Sequence, residues 1–239
     1  MDLGRNEPPV RLASPVLELR QYTLKPGQRE TLIALFDREF VETQEAVGMT
    51  VIGQFRDLDR PDMFVWMRGF EGMEARKDAL AAFYGGPVWA AHKDAANATM
   101  IDSDDVLLLR PAWKDAGFDL SGLRRPSAYD AEKASRPSPM PGFVEVSIHH
   151  LKPGTEDDFV ERFRVEAVPQ LAANGGRLLG AFVTEPSENT FPRLPVRAGE
   201  NVFVAVSGFN DREARTRNQV EPPSPNLLRL SPTSRSLLR

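Results

Sequence analysis

The amino-acid sequence predicts an α+β fold: tandem ferredoxin-like βαββαβ repeats whose two antiparallel sheets close on one another as a pseudo-dimeric barrel, with the helices outside. Three observations predict it. The segment LELRQYTLKPG at residues 17–27 recurs 127 residues later as VEVSIHHLKPG, and the same offset carries on through Leu32/Phe159, Phe36/Phe163 and Glu39/Glu166 to Gly53/Gly180 and Phe55/Phe182. Self-similarity held in one register over that length is the mark of a duplicated module. Each copy also reads strand, helix, strand, strand, helix, strand. Between the copies, Pro126, Pro137, Pro139 and Pro141 stand among serines, the composition of a linker. The repeats are therefore placed at 14–111 and 142–232, the second degenerate. The linker at 112–141 is expected to drape over the surface, and the tail at 233–239 to fray.

Each element has a local cause. Leu17 and Leu19 alternate with Glu18 and Arg20, the period of a half-buried strand, which Lys25-Pro26-Gly27 ends. Leu32, Leu35, Phe36 and Phe40 then fall at helical spacing. Phe159, Phe163 and Ala167 do the same in the second copy, behind Thr155 as an N-cap with Asp158 three residues on. Val51 to Arg56 and Phe64 to Phe70 form a hairpin. A helix from Met73 toward Tyr84 stops at Gly85-Gly86-Pro87, because two flexible residues and a missing amide cannot continue the ladder. Another helix runs from Val88 to about Met100, before a strand at Val106 to Arg110. In the second copy the loop before Phe203 is longer and holds Pro186, Pro192 and Pro195, and the second helix is shortened.

Strand side chains alternate between faces. The reading assigns the aliphatic set Leu17, Leu19, Val65, Met67, Leu107 and Leu109 to the helix side. Glu18, Arg20, Tyr22, Phe64, Trp66, Arg68 and Leu108 then face the barrel interior, opposite Glu145, Ser147, His149, Phe203, Ala205 and Arg229 of the second copy.

Composition bounds the chemistry. With 41% hydrophobic and 27% charged residues the chain is in the ordinary globular range. Zero cysteines exclude disulfides, thiol nucleophiles and sulfur-ligated zinc. Thirty basic against 34 acidic residues, a net charge of −4, give no electrostatic case for nucleic acid. No apolar run is long enough to span a bilayer, so no membrane partner is expected. Residues 1–10 lack the pattern of a secretory leader, and the expected location is cytoplasmic. No GxGxxG, GxxxxGK[ST], GxSxG or HExxH occurs.

The candidate chemistry lies in a few side chains, each with a structural reading beside the functional one. His149 and His150 are strand neighbours whose rings point to opposite faces, so they cannot share one metal. His149, in register with Tyr22, is placed facing the barrel, where an imidazole serves as base or haem ligand, or as a hydrogen-bonded structural residue. Tyr84, Trp89 and His92 form either a pocket rim between helices and sheet or simply core aromatics at a helix stop. Glu18 and Glu145, accompanied by Arg20 and Arg68, read as a structural ion-pair layer. Alternatively, Arg20 and Arg68 hold a carboxylate or enolate while Glu18 moves a proton. Catalytic roles are thus assigned to His149, Tyr22, His92 and Glu18, and substrate binding to Arg20, Trp66, Arg68, Tyr84, Trp89 and Glu145, with no metal.

The stretches ELRQYTLKPG, EAVGMTVIGQF, FVWMRGF and AFYGGPVW, the last followed by His92, resemble the NIPSNAP family, strongly over 16–111 and weakly over 142–232. The resemblance implies the dimeric α/β barrel fold. The wider superfamily with that barrel includes cofactor-free oxygenases acting on activated phenols and quinols, haem enzymes and small binding proteins. Activity does not follow from fold. The expectation is a protein that binds or transforms a small aromatic or keto metabolite without a metal or cofactor, with oxygenase- or isomerase-like chemistry possible. The alternatives are a non-catalytic interaction or scaffold protein and, with less support, a haem-binding barrel. Sheet edges leave homo-oligomerisation open. The second copy has no counterpart of residues 83–89, so a site formed by that motif exists once per chain.

Overall fold

The structure, a computed structural model, describes residues 14–128, 142–210, 212–217 and 226–238. Among them, eight strands close a barrel: β1 (Val16–Leu24), β2 (Thr50–Asp57), β3 (Met63–Phe70), β4 (Met100–Pro111), β5 (Phe143–His150), β6 (Gly176–Thr184), β7 (Val202–Phe209) and β8 (Leu227–Pro232). Around the barrel they run β1-β3-β2-β8-β5-β7-β6-β4, and β4 pairs with β1 to complete it. Each half has the same internal order, β4-β1-β3-β2 and β8-β5-β7-β6, and the halves meet through β2–β8 and β4–β6.

The repeat read from the sequence reappears in the ladders. Leu17 stands opposite Gly69, and Val144 opposite Gly208. The matching β2–β3 and β6–β7 ladders each shift register once, between Val51 and Gly53 and between Leu178 and Gly180. Glycine is needed at both bulges. A Cβ on Gly53 would lie 2.4 Å from the Phe55 ring, and one on Gly180 2.7 Å from that of Phe182.

Outside the first half lie α1 (Arg29–Leu35), a π-helical turn at Phe36–Phe40, α2 (Val41–Glu45), α3 (Met73–Tyr84) and α4 (Pro87–Thr99). The second half carries α5 (Glu156–Arg162), a π-helical turn at the matching Phe163–Ala167, α6 (Val168–Ala173) and the short α7 (Arg212–Arg217). Thr155 holds the N-cap position of α5, but its hydroxyl donates back to the Lys152 carbonyl at 2.8 Å and caps nothing. The second copy's cover is thin: no residue of α5 or α6 is fully buried, whereas α1 to α4 all bury residues.

The two faces of the sheet are the reverse of the expectation. Leu17, Leu19, Val65, Met67, Leu107 and Leu109 fill the barrel interior together with Val144, Val146, Ile148, Val204, Val206, Leu228 and Leu230 of the second half. Tyr22, Phe64, Trp66 and Leu108 pack outward beneath the helices, against Leu32, Phe36, Phe40, Leu80 and Phe83. The physical reason is that the barrel interior is shared by both halves and sealed from water, so it takes the side chains that are aliphatic in both copies. A helix-covered face can satisfy polar groups through the helices.

Linker and tail also depart from expectation. Ala116, Phe118 and Leu120 are buried, with the Phe118 ring tilted against that of Phe182 at 4.9 Å, so this part of the linker plugs the barrel. Pro137, Pro139 and Pro141 lie outside the described residues. Thr233, Arg235, Ser236 and Leu238 are buried as well. Apolar side chains at Phe118 and Leu238 gain more from the barrel end than an exposed segment gains in chain entropy. Arg235 reaches the Pro126 carbonyl at 3.1 Å and pairs with Glu42, while Arg125 pairs with Glu45 at 3.0 Å, fastening both segments to α2.

Asp37 lies on the first π-helical turn beside this fastening: its main-chain carbonyl accepts from Arg235 Nη1, and its carboxyl accepts from the Gln54 amide at 3.4 Å. Burial costs its charged form more than Arg235, Arg125 and Arg56 return, and Glu42 pushes the same way, so its pKa is raised to about 6. The folded value lies above the unfolded one, so stability is lost as pH rises from about 4 to about 6 and stays lost above. Asp37→Asn is expected to stabilise the protein by about 2–3 kcal/mol at pH 7.5 and not at pH 4. Urea unfolding at the two pH values, wild type against variant, measures it; equal differences at both would contradict the assignment.

Candidate functional site

Three arginines converge on one carboxylate between the outer face of the first half and its helices. Glu18 and Arg20 on β1 and Arg68 on β3 project outward from adjacent strands, in which Glu18 pairs directly with Arg68. Arg76 comes from above, on the buried stripe of α3 that also carries Ala79, Leu80 and Phe83. One Glu18 oxygen accepts from Arg20 Nη1 at 2.8 Å and from Arg68 Nε at 2.7 Å; the other accepts from Arg76 Nε at 2.7 Å. All four side chains are at most 1% exposed.

The remaining donors reach neutral partners. Arg20 Nε donates to the Tyr22 hydroxyl at 3.0 Å, Arg68 Nη1 to Gln44 Oε1 at 2.9 Å and Arg76 Nη1 to Asn189 Oδ1 at 2.9 Å. The Arg68 guanidinium lies 4.9 Å from the centre of the Trp66 ring and that of Arg20 5.6 Å, both in cation–π contact. Arg68 Nη2 and Trp66 Nε1 are buried with no hydrogen-bond partner among the described residues.

Burial alone would raise the Glu18 pKa, but attraction by Arg68, Arg20 and Arg76 outweighs it and holds the carboxyl well below the usual carboxylate range. Glu18 is thus held as the carboxylate, the shared counter-ion of the three guanidiniums. Burial pushes the Tyr22 phenol up despite Arg20 alongside, which keeps the hydroxyl protonated.

Above this cluster is an aromatic cavity of about 30 Å³, walled by Tyr22, Phe36, Phe40, Gln44, Trp66, Phe83, Tyr84 and Trp89 among others. Tyr22, Gln44 and Trp66 belong to both wall and charged cluster. Tyr84 and Trp89 meet edge to face at 4.8 Å across the α3–α4 corner. Glycine fits that corner because a Cβ at Gly85 or Gly86 would stand within 2.9 Å of the Ala81 or Ala82 carbonyl oxygen. The long loop between β6 and β7 reaches over from the second half. Besides Asn189, it supplies Phe191, stacked on Tyr84 at 6.2 Å, and Thr190, whose hydroxyl donates to the Met73 carbonyl at 3.0 Å. The insertion in the second copy therefore completes the site of the first.

The structure brings together Glu18, Arg20, Tyr22, Trp66, Arg68, Tyr84 and Trp89. It separates the others. His92 packs on Phe40 at 6.4 Å with Nε2 3.5 Å from Glu39, and it is not among the residues lining the cavity. His149 is on the outer face of the second half, between Phe159 at 5.2 Å and Phe203 at 6.1 Å, where burial lowers its pKa. It faces neither the barrel nor Tyr22, a consequence of the reversed faces. Glu145 is buried on that same far face, cross-strand from Arg229, and does not meet Glu18. Sequence reasoning missed Arg76, Gln44 and Asn189. Arg76 carries a signal, an arginine on the apolar stripe of a helix; Asn189 carries none beyond the insertion that holds it. Among the described residues there is no group of three or more metal-ligating side chains, and no helix is long and apolar enough to cross a membrane.

A closed barrel of two ferredoxin-like halves, with a site between one sheet and its helices, is the dimeric α/β barrel class. Residues 17–113 match the NIPSNAP family model. Among solved structures, a candidate monooxygenase of Lactobacillus acidophilus is 12% identical, covering 92% of this chain and 94% of its own with a TM-score of 0.54. A candidate monooxygenase of Fusobacterium nucleatum is 10% identical, covering 92% and 93%, also at 0.54. At that identity they show the shared fold alone. A NIPSNAP domain protein of Burkholderia xenovorans is 13% identical over 40% of this chain and 93% of its own, with a TM-score of 0.38. No curated protein matches.

Proposed function

We propose that the first half of this protein binds a small aromatic or keto metabolite in the layer between its sheet and α1 to α4, without a metal. The observation that carries the reading is the cavity itself, a cage of seven aromatic side chains in whose wall Tyr22 and Gln44 also accept hydrogen bonds from the buried Arg20 and Arg68. Apolar walls with a few convergent polar groups are the usual make-up of a ligand site. The Tyr22 hydroxyl, protonated and fixed by Arg20, is the group placed to orient a carbonyl or phenolic oxygen. At about 30 Å³ the cavity holds one water-sized occupant, so a ring enters only when Tyr84 and Trp89 swing outward at the Gly85-Gly86 corner.

Thermal-shift and tryptophan-fluorescence titration against phenols, quinols and 2-oxo acids tests this. A ligand at a hundred times its Kd should stabilise by about 2.7 kcal/mol and raise Tm by about 5–10 °C. It should also change the emission of Trp66 and Trp89. Absence of any shift across the panel would return the layer to a packing role.

A further inference from the structure

We infer that the ligand of this layer carries a carboxylate, and that the carboxylate is taken by Arg68 beside Trp66. The inference rests on the proposed ligand site and names the chemistry of its occupant.

Charge bookkeeping is the first support. Glu18 supplies one negative charge against the three of Arg20, Arg68 and Arg76, and all four side chains are sealed from water. Among the described residues no second carboxylate pairs with these guanidiniums; their other partners are a phenol, two side-chain amides, the Met49 sulfur at 3.7 Å and, at 3.5 Å, the Ser103 carbonyl. A purely structural triad of this kind would leave two buried cations uncompensated, each at a cost of several kcal/mol. An anion brought by a ligand lowers that cost.

Orphaned donors are the second support. Arg68 Nη2 and Trp66 Nε1 are buried and unpartnered, on residues in mutual cation–π contact. A buried donor left unmade costs about 1–3 kcal/mol, so two on neighbouring residues mark a place for an acceptor. A carboxylate brings two acceptor oxygens and a negative charge to these two donors, and the aromatic cage next to them suits a flat apolar body. A phosphate suits it less, because its three or four strongly hydrated oxygens would have to be stripped of water against aromatic walls.

The test compares isosteric pairs on the intact full-length chain by tryptophan fluorescence: 4-hydroxybenzoate against 4-hydroxybenzamide, and phenylpyruvate against phenylpyruvamide. The carboxylates are expected to bind at least tenfold more tightly than their neutral partners. In Arg68→Gln, checked for folding by circular dichroism, that preference should fall below threefold. Equal binding within each pair overturns the inference and leaves the ligand site standing. No binding by any member overturns both. A carboxylate preference that survives Arg68→Gln overturns the placement. If Arg68→Gln does not fold, the preference in the wild type and its loss in Arg68→Lys decide the matter.

Discussion

Glu18→Gln is expected to cost about 3–5 kcal/mol of stability, the magnitude of breaking a buried ion pair by removing one partner. For a chain of 239 residues that is a fall in Tm of about 6–20 °C. Glutamine keeps the shape and can still accept hydrogen bonds, but three guanidiniums would then face one another with no opposing charge. Arg76→Met gives the contrasting result. It removes one of the surplus cations and leaves Glu18 paired with Arg20 and Arg68, so the loss should be smaller than for Glu18→Gln and could reverse in sign. Thermal and urea unfolding followed by circular dichroism measure both. The sign with pH follows from the depressed carboxyl: its contribution is complete above the unfolded value of about 4.3 and is lost as pH falls below it. A loss under about 1 kcal/mol for Glu18→Gln, or a larger one for Arg76→Met, would contradict the charge distribution described.

Phe118→Ala should cost about 3–5 kcal/mol, the penalty of deleting a large core side chain. Sequence position alone would place Phe118 in a linker, where substitutions stay within about 0.5 kcal/mol. In the structure it is fully buried, its ring tilted against that of Phe182 at 4.9 Å. Phe182→Ala should cost about as much, and the double variant less than the sum, because the two rings share one contact. A change near zero for Phe118→Ala in urea unfolding would mean that the linker does not plug the barrel.

The repeat made the architecture legible. The succession of elements along each copy, the α3 boundaries at Met73 and Tyr84 and the corner at Gly85-Gly86-Pro87 are all readable from local spacing, because strand alternation and helix breakers act over a few residues. The direction of each face was not. Alternation shows which side chains share a side of a strand and leaves open what lies on that side. The two copies held the clue: Leu17, Leu19, Val65 and Met67 correspond to Val144, Val146, Val204 and Val206, aliphatic in both, while Arg20, Tyr22 and Arg68 correspond to Ser147, His149 and Ser207. A shared interior keeps one chemistry, and faces under unlike helices diverge. The same reversal explains the site. Glu18, Arg20, Tyr22, Trp66 and Arg68 were grouped correctly because they share one side of two paired strands. His149 and Glu145 were joined to them only by the assumption that this side faced inward. Asn189 and Phe191 arrive from the distant β6–β7 loop, and only the closed barrel shows that this loop lies over the first half.

A crystal structure of the protein grown with 4-hydroxybenzoate puts the account to its most direct test. The expected density places the ring among Tyr22, Trp66 and Tyr84, with the carboxylate in hydrogen-bond contact with Arg68 Nη2. A ring bound there with its carboxylate turned to solvent, or a layer left closed around an unchanged Tyr84 and Trp89 at saturating ligand, would contradict it.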